Sequence, residues 1–124
     1  MTNEEFNTLF RERTLQFARN VITFLETVPF NSVTKTLSGQ LSDSATSIGS
    51  NWRAFCRGRS MNEKYSKICI VVEEGDESQY WLQIFNQVNY GNKNLLPPLI
   101  QECNEIVKIT TSIKHKFQKK INKK

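Results

Sequence analysis

Histidine occurs once in this sequence, at His115, and cysteine three times, at Cys56, Cys69 and Cys103, far apart and without a CxxC pair. An odd set of scattered cysteines supports neither a disulfide framework nor a structural zinc site, and each is expected to be a buried or half-buried thiol. A single histidine leaves no material for a His-dependent triad, a two-histidine metal site or a di-iron bundle with paired Glu-x-x-His motifs. The glycines Gly39, Gly49, Gly58, Gly75 and Gly91 are too dispersed to make a phosphate-cradling loop. No run approaches the roughly 18 apolar residues of a membrane-spanning helix. The start, Met1-Thr2-Asn3-Glu4-Glu5, is acidic, without the basic start and apolar run of a signal peptide, and no Asn is followed two places later by Ser or Thr. A non-enzymatic protein of the cytoplasm, without cofactor, metal or membrane contact, is the expectation.

What the 124 residues do contain is 38% hydrophobic side chains, enough for the core of one domain. Phe6, Phe10, Phe17, Val21, Phe24, Leu25 and Val28 follow a 3.6-residue period and predict a helix over residues 3–27, ended by Pro29. Val33, Leu37, Leu41, Ala45, Ile48, Trp52 and Phe55 predict a second over 33–57, with Gly58 as its stop. Its middle, residues 42–50, is crowded with small side chains that would let a neighbouring helix come close. Ser60 and Glu63 have the spacing of a capping box opening a third helix, 61–89, with Tyr65, Ile68, Val72, Leu82, Phe85 and Val88 inward. The polar stretch from Glu73 to Gln79 competes as a loop; the apolar phase on its two sides fits one register and favours a continuous helix. Pro97 and Pro98, tolerated only in a first turn, open a fourth helix over 97–119, and the lysine-rich residues 118–124 are expected to fray. Four amphipathic helices with short connections predict an all-α, antiparallel up-down-up-down four-helix bundle forming a single domain, 1–124.

The net charge of +5 is unevenly held. From Ile106 onward the chain carries Lys108, Lys114, Lys116, Lys119, Lys120, Lys123 and Lys124 and no acid, whereas the first 105 residues hold ten basic side chains against twelve acidic. Alternating helix direction brings the ends of the second and fourth helices to the starts of the first and third. Arg53, Arg57, Arg59, Lys64, Lys67, Lys114, Lys116, Lys119 and Lys120 then gather at one pole, with Arg11 and Arg13 a few turns away and Glu4, Glu5 and Glu63 diluting the charge. A positive pole attracts a phosphate backbone by counterion release and steering, without reading sequence. Trp52 and Tyr65 lie on the apolar stripe and are expected in the core rather than at a stacking surface. The alternative is a protein–protein assembly factor whose lysines complement helix dipoles and keep it soluble. Glu73, Glu74, Asp76 and Glu77 offer one helix face, too few converging oxygens for a hard cation.

Two stretches carry more than periodicity: Gln40-Leu41-Ser42-Asp43-Ser44-Ala45-Thr46-Ser47-Ile48-Gly49-Ser50-Asn51 with the turn Arg57-Gly58-Arg59-Ser60, and Glu73-Glu74-Gly75-Asp76-Glu77-Ser78-Gln79-Tyr80-Trp81-Leu82. Together they resemble the bacterial four helix bundle protein family, which includes proteins encoded in intervening sequences of 23S ribosomal RNA genes. Asp43, Glu73 and Gly75 depart from that pattern, which usually has a basic residue, lysine and alanine there. The resemblance implies a homopentameric ring and kinship with the accessory protein of diversity-generating retroelements, a nucleic-acid-binding partner of a reverse transcriptase. It implies no catalysis and no cofactor. Tyr80 and Trp81 are neighbours on a helix and cannot both face one core, so this pair is the candidate oligomer interface.

Overall fold

The computed structural model describes residues 1–123; Lys124, counted above in the basic tail, lies outside the described residues. Four helices follow one another: α1 Asn3–Leu25, α2 Ser32–Cys56, α3 Met61–Gln87 and α4 Leu96–Asn122, with a 3-10 turn Lys93–Leu95 leading into α4. Among the described residues there is no strand.

Each start is fixed by a local donor–acceptor match. Thr2 and Glu5 form a reciprocal capping box on α1, and the Asn31 carboxamide accepts from the amides of Val33 and Thr34 on α2. At α3 the Ser60 hydroxyl accepts from the Glu63 amide at 3.0 Å. Among the described residues the return bond from Ser60 to the Glu63 carboxylate is not made, so only half of the expected box forms. Pro97 and Pro98 occupy the first turn of α4, where their missing N–H groups have no intrahelical acceptor to lose. The turn before it uses Gly91 at φ +78°, a left-handed conformation that a side chain would oppose.

The polar middle of α3 is helical throughout. Gly75 is buried where α3 crosses α4, and a Cβ there would stand 2.8 Å from Val107 Cγ2. The glycine that weakens the helix in sequence terms therefore serves a close crossing. The small-residue middle of α2 does the same towards α3: Ser78 Oγ donates to Ser44 Oγ at 3.0 Å, and both serines are buried.

The two ends show the wiring. At one, Phe24 of α1 meets Phe85 of α3 edge to face with centroids 5.3 Å apart, and the Asn92 amide donates to Thr27 Oγ1 at 2.9 Å. At the other, Asn3 and Phe6 of α1, Phe55 of α2, Lys64 of α3 and Phe117 of α4 line one groove. Ends of α2 and α4 thus meet starts of α1 and α3. The neighbours around the bundle are α1–α2, α2–α3, α3–α4 and α4–α1. Phe17, Val21 and Phe24, Leu41, Ile48 and Trp52, Ile68, Leu82 and Phe85, and Leu96, Cys103 and Ile106 fill the interior.

Two expectations are corrected. Val33, placed on the inner stripe of the second helix, is 55% exposed, because its neighbour Thr34, buried and donating to the Pro29 carbonyl, takes the inward position in that first turn of α2. The lysine-rich end does not fray at residue 118: α4 runs to Asn122, with Ile121 half-buried and Lys119 and Lys120 set against the negative end of the helix dipole.

Candidate nucleic-acid interface

Five of the nine cations expected at the basic pole line two grooves. The first runs between α1 and α2. Its rim carries Arg53 and Arg57 from α2 with Arg11 and Arg19 from α1, and its walls include Leu15 and Ile22, which are 61% and 44% exposed. Glu12 is the acid in its lining. The second lies at the pole between α1 and α4, has a volume of about 800 Å³, and gathers Lys64, Lys108, Lys116 and Lys120 with no acid in its lining. Arg59, Lys67, Lys114 and Lys119 lie outside both linings. Sequence order alone cannot separate these groups, because the division depends on which face of α1 turns towards which neighbour.

The lysine groove is built by the helix ends. Lys108, Ser112, Lys116 and Lys120 recur at steps of four on α4 and line it as one stripe. That periodic stripe was the available signal for Lys108, which the candidate set lacks. Lys64 comes from the first turn of α3 and crosses back over the end of α2. Its Nζ donates to the Phe55 and Cys56 carbonyls at 3.2 and 3.5 Å and stands 5.0 Å from the centroid of the Phe55 ring. Gly58 makes room for it: a Cβ at that position would lie 2.5 Å from Lys64 Cγ. Lys64 thus satisfies orphan carbonyls of α2 while bringing its charge to the groove.

Beneath the lysines lies an aromatic floor. Trp52 is fully buried, donates from Nε1 to the Asn7 carbonyl at 3.3 Å, and packs against Phe6, Phe10 and Phe55 with centroids 4.7–6.2 Å apart. Phe117 meets Phe55 edge to face at 5.3 Å, and Lys120 Nζ stands 5.2 Å from the centroid of Phe117. Trp52 is therefore core, while Phe6 and Phe117 are only half-buried.

Among the described residues none of the nine candidate cations forms an ion pair. Arg13 does. Its guanidinium grips Glu102 of α4 with bonds of 2.7 and 2.8 Å and reaches Glu105 at 3.2 Å, which raises its already high pKa and removes it from the free charge of the pole. Apart from Glu63 in the first turn, the acids of α3 lie in its middle: burial and the neighbouring charges of Glu77, Glu73 and Asp43 lift the Glu74 carboxyl above the usual range.

Burial pushes the Cys56 thiol up despite the nearby charges of Arg11 and Lys64, and it carries Cys103 to about 12. Among the described residues no three His, Cys, Asp or Glu side chains converge to hold a metal ion, and no helix is long and apolar enough to cross a membrane. At the candidate oligomer surface, Tyr80 is 57% exposed and meets Trp81 edge to face at 5.1 Å. Trp81 is half-buried, and its Nε1 is buried with no hydrogen-bond partner among the described residues.

An all-α four-helix bundle is the class that this architecture defines. Residues 7–112 match the sequence model of the 23S rRNA-intervening sequence proteins, and the chain belongs to that family. The bundle is similar to the crystal structure of a protein with unknown function from the S23 ribosomal protein family of Bacteroides thetaiotaomicron. The TM-score is 0.76 at 24% identity, over 88% of this chain and 97% of that one. No curated protein matches the sequence.

Proposed function

We infer that the protein is a non-enzymatic binding module that holds RNA or DNA by its phosphates at the basic pole, and that it works as an assembly of several copies. The observation that carries the reading is the lysine groove: four cations from two helices face one concave surface with no acid among its lining residues. Such an arrangement concentrates positive potential where field lines are focused by low-dielectric walls. Solubilising lysines would gain nothing from converging, since repulsion favours spreading them. The arginine rim of the α1–α2 groove extends the cationic surface around α1. Nothing in this layout selects a base sequence, which fits binding dominated by backbone contacts.

The test is a salt titration of binding to a structured RNA. Replacing Lys108 and Lys116 with Gln should weaken binding at every salt concentration and lower the slope of log K against log salt by about one per lysine lost. A salt-independent affinity would remove the electrostatic mechanism. Self-assembly is favoured by a separate observation, the exposed Tyr80 ring set edge to face on Trp81, since such aromatic surface is enriched where chains meet.

A further inference from the structure

We propose that the lysine groove between α1 and α4 receives an unstacked base of a single-stranded nucleic acid, held against the Phe6 and Phe117 rings while Lys108, Lys116 and Lys120 take the flanking phosphates. The inference rests on the polyanion reading above and narrows it to a class of strand. A surface made only to hold phosphates has no use for aromatic walls, and this one has them. It is a recess of about 800 Å³, within the range of sites that enclose organic groups, and aromatic side chains form much of its wall.

Two of those rings have surface to offer. Trp52 and Phe55 are closed off by the core, at 0% and 4% exposure, whereas Phe6 and Phe117 are half-buried at the mouth. Phe6 is already stacked on Phe10 at 5.6 Å, and Phe117 is braced edge-on by Phe55, so both rings are held in place before a ligand arrives. What lies over Phe117 is the ammonium of Lys120, itself an exposed side chain. A lysine in that position marks a ring face that no apolar neighbour covers. It can swing from the ring to a phosphate when a base takes its place.

The spacing suits a strand running along α4. Lys116 and Lys120 are one turn apart, about 6 Å along the axis, and Lys108 is two turns earlier. Successive phosphates of an extended strand are separated by a comparable step. Asn7 and Ser112 add uncharged hydrogen-bonding groups in the same lining, suited to base edges but too few to read a sequence. A duplex can offer this recess its phosphates but not a base, because its base faces are already stacked. Single strands keep free π-faces and bind by stacking and charge together.

Fluorescence anisotropy on the full chain separates the possibilities, with three labelled probes of equal length: a deoxythymidine single strand, a blunt duplex, and a single strand with abasic sites through its middle. The wild type should bind the thymidine strand more tightly than the abasic one. Phe117→Leu and Phe6→Leu should each lose about ten-fold on the thymidine strand, with less than a two-fold change on the duplex and an unchanged salt slope. Each variant is compared only where its melting curve shows it folded, and unmodified protein supplies an independent readout. Tryptophan emission, to which Trp52 beneath the groove and Trp81 on α3 both contribute, should change on adding the thymidine strand and stay constant with the duplex. Equal affinity of the wild type for thymidine and abasic strands, or parallel losses on all probes in the Phe variants, would overturn the base site and leave phosphate binding standing. No binding of the wild type to any probe at low salt would overturn the polyanion reading, and this inference with it.

Discussion

At the scale of single residues, Gly75 shows how a local preference is outvoted. Alanine is favoured over glycine inside a helix by about 1 kcal/mol. Here the added methyl would stand 2.8 Å from a methyl of Val107, a β-branched side chain with little rotamer freedom. Overfilling a packed crossing costs about 1–3 kcal/mol, so Gly75→Ala should lower stability by about 1 kcal/mol net in urea unfolding. Val107→Ala in the same background should recover most of the loss, because it removes the atom that clashes. A gain in stability for the single variant would mean that α3 and α4 can separate slightly at no cost. The sequence marks Gly75 as a weak point in a helix; that α4 presses on that very residue is a tertiary fact which periodicity does not carry. Trp52 is the opposite case: its phase on the stripe assigns it to the core, where it is fully buried.

At the scale of elements, helix identity was legible because each segment repeats its apolar residues in one phase, and that phase survives the polar stretch of α3. The ends were less legible. Residues at an end can be helical without being packed, as Val33 is, and a lysine-rich run such as residues 118–122 can stay helical when its dipole is complemented and Ile121 keeps a foothold. The acidic middle of α3 has a measurable consequence. Glu74 is partly buried beside Glu73, Glu77 and Asp43, and its carboxyl pKa is raised in the folded protein. The folded state therefore holds that proton more firmly than the unfolded chain does. Its stabilising contribution is complete below the ordinary carboxylate pKa and is lost as pH rises through the higher folded value. Glu74→Gln should stabilise the protein near pH 7 by less than about 1 kcal/mol, given solvent screening, and the difference should vanish in mild acid. Melting temperatures of both proteins across that pH range would show it; a constant offset would assign the effect to packing rather than to charge.

At the scale of the whole molecule, the alternation of helix direction was enough to place the arginines before Ser60 and the lysines of α4 at one end. It could not say that α1 would divide them, since that depends on the rotation of each helix about its own axis. The same rotation sets two apolar surfaces apart. Leu15 and Ile22 face outward from α1, while Tyr80 and Trp81 lie on α3, the diagonal neighbour, so the two patches point in different directions. Two unlike patches cannot both be buried by an isologous dimer; joined head to tail, they generate a ring if the rotation closes. If Tyr80 and Trp81 form one side of such a contact, Trp81→Phe keeps a six-membered ring there and removes the five-membered ring with its N–H. The assembly should then loosen by about 1–3 kcal/mol per contact while the isolated bundle, relieved of an unpaired buried donor, melts no earlier. Leu15→Lys should break the other side of the same contact. Mixing the two variants distinguishes the geometries in sedimentation: in a head-to-tail ring each protein retains one sound patch, so the mixture forms pairs that cannot grow. An unaltered assembly in both variants would place the interface elsewhere on the bundle.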